Sequence, residues 1–135
     1  MKSYVLDASA LLAFLGGSPG AAKVANLLDA GRLEEASLSM SVINWGEVYY
    51  LYFRTQMPQT MERLKSTVAR LPIEMISVDM GQAQRAGEIK AQYKMAYADS
   101  FAAALAIKRN ATLVTSDRDF KRMQSKIKVM WLLSH

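Results

Sequence analysis

The stretch that decides the fold class is KSYVLDASALLAFLGG, at residues 2–17. Its first five residues are rich in β-formers and predict a short strand. Residues 8–15 predict a helix, which Gly16 and Gly17 end. Asp7 lies between the two, at the C-terminal end of the predicted strand. Ligands of an α/β sheet bind beyond such ends, so Asp7 is the first candidate functional residue.

Strands and helices continue to alternate along the rest of the chain. Further strands are predicted at residues 36–40, 73–78, 112–115 and 127–132. Helices are predicted at residues 19–30, 42–56, 58–71, 80–93 and 97–108, with a short one at 119–123. This order predicts a single three-layer α/β/α domain over residues 1–135, in which helices cover both faces of a mainly parallel sheet of four to five strands.

Residues that favour helix ends mark several of these boundaries. Ser18 and Pro19 are predicted as the N-cap and first residue of the second helix, which Gly31 ends. Ser41 is predicted to cap the third helix, and Asn110 to end the sixth. The caps therefore support the helical assignment of the segments between them.

The composition suits a folded cytoplasmic domain. Of the 135 residues, 51% are apolar and 21% charged, which argues against disorder. The chain has no cysteine, which excludes disulfides, thiolate metal sites and a cysteine nucleophile, and which fits a reducing cytosol. The N-terminal residues lack the pattern of a signal peptide, and no apolar stretch reaches the roughly 18 residues of a membrane span. A cytoplasmic location without membrane association is expected.

The protein is basic, with a formal net charge of +5 and a pI of about 9.6. A basic surface favours polyanions, RNA and DNA first among them, although it also fits a surface that serves solubility alone. Seven of the 17 Lys and Arg residues lie between Lys108 and Lys128. Acidic residues concentrated in a basic protein are the charge pattern expected for a metal site that handles phosphate.

Four acidic residues fall where this fold would gather them at one edge: Asp7, Glu47, Asp99 and Asp117. Each also has a purely structural alternative. Asp7 and Asp99 could cap the helices they adjoin, and Asp117 could form an Asx-turn. Glu47 could be solvated, but it lies mid-helix among aromatic residues, where it has no capping role. Like charges held together need a cation or a proton, so the four together predict a metal site.

The predicted ligands of this site are all oxygen atoms. Hard oxygen ligands without His or Cys select Mg²⁺ or Mn²⁺. His135 is the only histidine, so a histidine-based zinc site or catalytic triad is not expected. The hydroxyls of Ser9, Thr115 and Ser116 lie beside the acids and are predicted to orient them or to hold water, although Thr115 also fits a plain strand residue. The chemistry that follows is attack of a metal-activated water on a phosphodiester.

Four stretches of the chain resemble PIN-domain ribonucleases, and most of all the VapC toxins of toxin–antitoxin pairs. They are VLDASA at residues 5–10, NWGEV at residues 44–48, ADSFAAALA at residues 98–106 and LVTSDRDF at residues 113–120. Their order and the chain length match the family from end to end. The resemblance therefore implies a PIN-like α/β fold.

The same resemblance implies site residues and partners. It carries the family's acidic site onto the four carboxylates, and its hydroxyl positions onto Ser9 and Thr115. Asp119 matches a frequent extra acid, which touches the metal through water or only caps the following turn. The resemblance also implies Mg²⁺ or Mn²⁺, a homodimer, an RNA substrate such as tRNA, and an antitoxin whose C-terminal segment lies across the active-site groove.

An aromatic stretch lies in the predicted third helix: Trp45, Tyr49, Tyr50, Tyr52 and Phe53. One helix cannot direct all of these side chains inward, so some are expected on the surface. Exposed aromatic side chains are predicted to anchor the antitoxin or a second subunit, with stacking on unpaired RNA bases as the alternative. The predicted partner-binding residues are Trp45, Tyr49, Tyr50 and Phe53.

The sequence thus predicts a Mg²⁺- or Mn²⁺-dependent endoribonuclease that acts as the toxin of a toxin–antitoxin pair. Two alternatives stay open: a non-toxin PIN-type nuclease in RNA processing, and an α/β module that binds phosphate or a partner without cutting RNA. A phosphatase of the haloacid dehalogenase type is disfavoured because it needs an aspartate where this chain has Ser9. A response-regulator receiver needs paired acids near the first strand, and residues 2–4 provide none.

Overall fold

Five strands form one parallel sheet in the computed structural model, which describes residues 1–55 and 58–133. The strands are β1 Lys2–Leu6, β2 Ala36–Ser41, β3 Glu74–Ile76, β4 Thr112–Thr115 and β5 Val129–Trp131. They lie in the order β3-β2-β1-β4-β5, and each neighbouring pair is parallel. The predicted α/β class and parallel sheet are confirmed.

Helices connect these strands along the described part of the chain. The α-helices are α1 Ala8–Gly16, α2 Ala21–Arg32, α3 Val42–Phe53, α4 Pro58–Ala69, α5 Met80–Tyr93 and α6 Tyr97–Arg109. A 3₁₀ helix, Arg118–Met123, follows β4. Parallel neighbours need such crossover connections, because a tight hairpin turn reverses the direction of the chain.

Alternating side chains of β1 and β4 divide the buried core into two clusters. Leu6 and Val114 belong to one cluster, to which α1, α2, α3 and α4 contribute. Val5 and Leu113 belong to the other, to which α5, α6 and the 3₁₀ helix contribute. Because successive side chains of a strand point to opposite faces, this division confirms the predicted three-layer arrangement.

The alanine-rich helix α6 is the element that connects most of the fold. It contacts β1, β2 and β4 as well as α3 and α5. Its residues 100–106 are all buried, and most of them are alanine, whose small side chain lets a helix pack closely on its neighbours. The first turn of α6 therefore has a fixed position relative to the carboxyl ends of the strands.

The predicted start of α3 and the predicted end of α6 are confirmed, and so is the alternative role of Asp7 as a helix cap. Ser41 accepts a hydrogen bond from the backbone N–H of Ile43 at the start of α3. Asn110 ends α6 in the left-handed conformation, with φ of 50°. Asp7 caps α1 by accepting from the N–H of Ala10.

The predicted start of the second helix is wrong. Ser18 and Pro19 lie in the connection before α2, whose N-cap is Gly20. The N–H of Ser18 donates to the carbonyl of Ala13 at 3.0 Å, so this residue completes the end of α1 instead. Gly20 has φ of 97°, and a Cβ atom there would lie 3.0 Å from Cβ of Leu132. Glycine is therefore required at the N-cap, and the helix starts later than predicted at a residue fixed by a close tertiary contact.

Other predicted boundaries differ by a few residues. Helix α2 continues past Gly31 to Arg32. Gly31 packs closely against Leu38 and Pro72, at 3.0 and 3.1 Å from where its Cβ would be, so packing accounts for the glycine there. Strands β3 and β5 are shorter than predicted, and each lies at an edge of the sheet with one neighbour. The predicted end of the third helix, at residue 56, lies outside the described residues; α3 ends at Phe53.

Among residues 1–55 and 58–133, no single helix is long and apolar enough to cross a membrane. Helices α1 and α2 meet the criteria of length and composition only as a pair, with a bend of 102° between them.

Candidate metal centre

The acidic residues meet at the carboxyl ends of β1 and β4. These strands are neighbours, and the chain continues from them towards opposite edges of the sheet. Such a point in the strand order leaves a crevice at the strand ends, which is the usual ligand site of an open parallel sheet. Asp7 directly follows β1, and Asp117 lies two residues beyond β4.

Asp7 is held in place by hydrogen bonds to both carboxylate oxygens. Its Oδ1 accepts from the hydroxyl of Ser9 at 2.6 Å and from the N–H of Ala10 at 2.9 Å. Its Oδ2 accepts from the hydroxyl of Thr115. The side chain is 2% exposed, so these donors replace the water that it loses.

The hydroxyl groups extend this network to the segment after β4. The N–H of Ser116 donates to Oγ of Ser9 at 3.0 Å, and the N–H of Asp117 donates to Oγ1 of Thr115 at 2.9 Å. Ser9 and Thr115 also lie 3.2 Å apart, Oγ to Oγ1. Two of the three predicted hydroxyls, those of Ser9 and Thr115, therefore couple the end of β1 to the turn that carries Asp117, whereas Ser116 takes part through its backbone N–H.

Three carboxylates converge at the mouth of this crevice. One oxygen from each of Asp99, Asp117 and Asp119 lies within 4.8 Å of the other two. Asp99 is in the first turn of α6, where the helix dipole favours negative charge. Asp117 also accepts from the N–H of Asp119 at 2.9 Å, which caps the 3₁₀ helix. Carboxylate oxygens at this spacing can share one divalent cation.

Glu47 approaches the same site from α3. It is half-buried, and its Oε1 accepts from Nδ2 of Asn44 at 3.2 Å. The same Nδ2 donates to the carbonyl oxygen of Ala98 at 3.0 Å, in the first turn of α6. Asn44 thus joins the helix that carries Glu47 to the helix that carries Asp99.

Charge repulsion at the site is concentrated on Asp99. Burial raises the pKa of Asp99 to about 7, with further contributions from the negative charges of Asp117, Asp7 and Glu47 and from a side-chain hydrogen bond with Asp117. All four predicted carboxylates are therefore close enough to interact. Burial also raises the pKa of Asp7 to about 6, although its hydrogen bonds act in the opposite direction.

This arrangement has the donor chemistry of a site for a hard cation. Its candidate ligands are carboxylates, one of which, Asp119, also pairs with Arg122 at 3.6 Å, and no Cys exists in the chain to add a soft ligand. Like charges that raise one another's pKa are stabilised when a cation replaces the protons. The residues present therefore fit Mg²⁺ or Mn²⁺.

A family model of the PIN domain matches residues 4–126. The chain belongs to the PIN-domain family. No curated protein matches the sequence closely enough to count as a relative.

Solved structures share the fold of this PIN domain at low sequence identity. VapBC2 from Rickettsia felis, bound to a DNA fragment from its promoter, has a TM-score of 0.76 at 21% identity, covering 95% of this chain and 97% of that one. DNA-bound VapBC from Salmonella typhimurium has a TM-score of 0.75 at 18% identity, covering 98% and 100%. FitAcB from Neisseria gonorrhoeae has a TM-score of 0.73 at 20% identity, covering 96% and 97%. At these identities the likeness shows the fold alone.

The predicted site residues of the PIN domain separate into an inner and an outer group. Asp99, Asp117 and Asp119 supply the converging oxygens. Asp7 and Glu47 lie outside that group of three and act on Asp99 through their charge. Asp7 and Asp117 also have the structural roles considered as alternatives, because each caps the helix that follows it. Asp99 does not, because the N-cap of α6 is Ala96. The catalytic and metal-binding roles stay a prediction.

The role of Asn44 at the site was not predicted from the sequence. The residue lies three positions before Glu47, which places both side chains on one face of a helix. It is also fully buried at the start of a helix in which Glu47 is the only charged residue. A polar amide at that spacing from a candidate ligand was the available signal, but its link to Ala98 depends on the tertiary fold.

The aromatic residues of α3 divide as expected into buried and exposed groups. Tyr50 and Phe53 are 59% and 63% exposed. Trp45, Tyr49 and Tyr52 pack against the core cluster beneath α1 and α4. The rings of Tyr49 and Phe53 are stacked, with their centroids 6.0 Å apart, so the exposed surface is continuous with the core.

The basic segment that precedes and follows β4 is divided between two ends of the sheet. Arg118, Lys121 and Arg122 lie on the 3₁₀ helix, directly after Asp117. Arg109 and Lys128 line a groove of about 1010 Å³ at the amino ends of β1, β4 and β5, away from the acids. Of the basic residues between Lys108 and Lys128, only those on the 3₁₀ helix therefore lie near the candidate metal centre.

Proposed function

We propose that this PIN domain is a Mg²⁺- or Mn²⁺-dependent endoribonuclease and that it acts as the toxin of a toxin–antitoxin pair. The observation that carries the proposal is the convergence of carboxylate oxygens from Asp99, Asp117 and Asp119 at the carboxyl ends of the central strands. PIN domains are nucleases, which supports hydrolysis of a nucleic acid.

The inner carboxylates are the proposed cation ligands. Asp99 and Asp117, assisted by Asp119 directly or through water, would hold the ion, with Asp7 behind them. When bound, a cation of this class lowers the pKa of a water molecule and stabilises charge on phosphate oxygens. Asp99 would hold the cation in its ionised form, because its pKa is raised by burial and by neighbouring negative charges that a cation would neutralise.

The remaining residues orient the reacting groups. Ser9 and Thr115 fix both oxygens of Asp7, so that this carboxylate cannot rotate away from the site. Asn44 holds one oxygen of Glu47 and leaves the other to orient a water molecule or accept its proton. Arg118 and Lys121, on the 3₁₀ helix directly after Asp117, are expected to attract the phosphates of an RNA strand.

The partner proposal rests on the structural neighbours and on α3. Among the neighbours, one is described as a toxin–antitoxin complex from Klebsiella pneumoniae, and others are VapBC complexes. We infer that an antitoxin covers the exposed rings of Tyr50 and Phe53, with Trp45 and Tyr49 beneath them. A homodimer, a tRNA substrate, a cytoplasmic location and a single domain over residues 1–135 stay predictions.

A cleavage assay tests the enzymatic proposal. Purified protein is incubated with tRNA and with an unstructured RNA, in Mn²⁺ or in excess chelator. Cleavage in Mn²⁺ that chelator abolishes, and that the Asp99→Asn variant lacks, is the expected result. Intact RNA under all conditions would favour the alternative of a binding module without nuclease activity.

A growth assay separates the toxin from a nuclease of RNA processing. Induced expression of the wild-type chain is expected to arrest growth, whereas equal expression of Asp99→Asn is not. Normal growth with an active enzyme would instead favour RNA processing. The comparison with Asp99→Asn excludes a general burden of protein expression.

A further inference from the structure

Asn44 is buried between the two helices that carry acidic residues of the site. It is 0% exposed and lies in the first turn of α3. Its single amide nitrogen donates to Oε1 of Glu47 at 3.2 Å and to the carbonyl oxygen of Ala98 at 3.0 Å. Ala98 is the residue directly before Asp99, and it lies 54 positions from Asn44 along the chain.

The two acceptors determine which way the amide must face. Both are oxygens without a hydrogen to donate, so only the NH₂ side of Asn44 can meet them. An aspartate of the same shape would direct an ionised oxygen at Glu47 and Ala98 instead. The position therefore requires a neutral side chain with two donor hydrogens on one atom.

The amide oxygen of Asn44, unlike its nitrogen, makes no hydrogen bond within the part of the chain that the structure describes. Among the described residues, no donor reaches the buried Oδ1 of Asn44. A buried acceptor without a partner destabilises a fold, so Asn44 is not explained by core stability. Its benefit lies on the nitrogen side, where it contacts the acid-bearing helices.

We propose that Asn44 is a positioning residue of the metal centre, which fixes the spacing between the Glu47 carboxylate and the first turn of α6. Glu47 and Asp99 carry like charges, which repel each other when they are held at one site. A neutral cross-link holds these like charges near one another before a cation arrives. The inference rests on the metal site proposed above and adds a residue outside its carboxylate set.

Metal affinity, measured without RNA, tests this role. Mn²⁺ is titrated into the purified chain, and free Mn²⁺ is followed by its electron paramagnetic resonance signal. Asn44→Ala is expected to weaken Mn²⁺ binding by about 10- to 100-fold, the usual effect of losing a group that orients a metal ligand. The midpoint of thermal unfolding in chelator is measured in parallel and is expected to change little.

Ser39→Ala is the matched control. Ser39 is 1% exposed, and its hydroxyl has no hydrogen-bond partner among the described residues, so it is not hydrogen-bonded to any acid of the site. This variant is expected to keep wild-type Mn²⁺ affinity. Asn44→Asp preserves the shape of the side chain but replaces the donor NH₂ group with an acceptor oxygen. This variant is expected to bind Mn²⁺ at least as weakly as Asn44→Ala.

A double variant distinguishes positioning from a general loss of packing. If Asn44 acts through Glu47, then adding Asn44→Ala to Glu47→Gln weakens Mn²⁺ binding by less than the product of the two single effects. Wild-type affinity in both Asn44 variants would overturn the inference while leaving the metal site intact. Loss of affinity only in proportion to loss of folded protein would overturn it as well. A wild-type chain that binds no Mn²⁺ would instead contradict the proposed metal site itself.

Discussion

Asp7 and Asp99 hold their protons more tightly than ordinary aspartates, with pKa values of about 6 and about 7. Burial is the largest cause for both, and Asp99 is additionally raised by the three neighbouring acids. Near neutral pH the metal-free site is therefore partly protonated, and a cation must displace those protons. Metal binding and proton release are thus linked at single residues.

Neutralising one of these acids should remove activity without unfolding the chain. Asp99→Asn is expected to reduce RNA cleavage by at least about 100-fold, because a proposed metal ligand becomes neutral. The metal-free variant is expected to be more stable than wild type by roughly 1 kcal/mol at pH 8, after allowing for screening of a half-buried group. Cleavage rates and thermal unfolding in chelator measure the two effects. An unchanged rate in Asp99→Asn would refute the site.

The raised pKa values predict how the stability of the metal-free protein depends on pH. In the unfolded chain both carboxyl groups titrate near 3.8, so the folded state binds more protons between about pH 4 and pH 7. Their contribution to stability is present below the unfolded pKa and is lost as pH rises through the folded values. Unfolding in chelator should therefore become easier from pH 5 to pH 8, by about 2–3 kcal/mol once the contribution of the partly exposed Asp99 is reduced for solvent screening.

Chemical denaturation at a series of pH values measures this dependence. The Asp99→Asn variant should show a shallower decline, because one of the two titrating groups is gone. Mn²⁺ should stabilise the wild-type chain more at pH 8 than at pH 5, where protons compete with it. Stability that rises between pH 5 and pH 8 in chelator would contradict these assignments.

At the scale of the elements, local signals and tertiary contacts determined different parts of the fold. The alternation of strands and helices was predictable because turn residues and periodic apolar residues act locally. The start of α2 was not, because the requirement for Gly20 comes from Leu132, more than a hundred residues away. The positions of Asp7 and Asp117 followed from the rule that ligands bind at strand ends. The convergence of Asp119 with Asp99 required the packing of α6 and could not be read from the sequence.

Two glycines provide a direct test of the packing at the start of α2. Gly20→Ala is expected to destabilise the fold by about 1–3 kcal/mol, because φ is 97° and the new Cβ would contact Leu132. Gly87→Ala, in the middle of α5, is the matched control, since no atom lies within 4 Å of its Cβ position. That substitution should stabilise the protein by about 0.5–1 kcal/mol. Equal effects in denaturant titrations would contradict the described connection between α1 and α2.

Across the whole molecule, one acid of the site, Glu47, shares helix α3 with the exposed aromatic rings, but the two features serve separate proposed tasks. Glu47 faces the first turn of α6, whereas Tyr50 and Phe53 remain largely accessible to solvent. Exposed aromatic rings of this size commonly dominate the binding energy of protein interfaces. Partner binding and RNA cleavage should therefore be separable by mutation.

The surface of α3 gives a prediction about the partner. Tyr50→Ala combined with Phe53→Ala should weaken binding of the cognate antitoxin by at least about 2 kcal/mol, or roughly 30-fold. Cleavage of RNA by the free protein should stay unchanged. Calorimetric titration and the cleavage assay measure the two properties, with Leu33→Ala as a control at an exposed apolar residue of another segment. Antitoxin binding that is unaffected would place the interface elsewhere.

The central claim is that carboxylates from separate parts of the chain bind one divalent cation. Anomalous diffraction from a crystal soaked in Mn²⁺ tests this most directly, because it locates the ion without reference to activity. We expect a Mn²⁺ anomalous peak about 2 Å from oxygens of Asp99 and Asp117, at the carboxyl ends of β1 and β4. A Mn²⁺ peak bound elsewhere, or none at these oxygens in crystals of a form that cuts RNA, would contradict it.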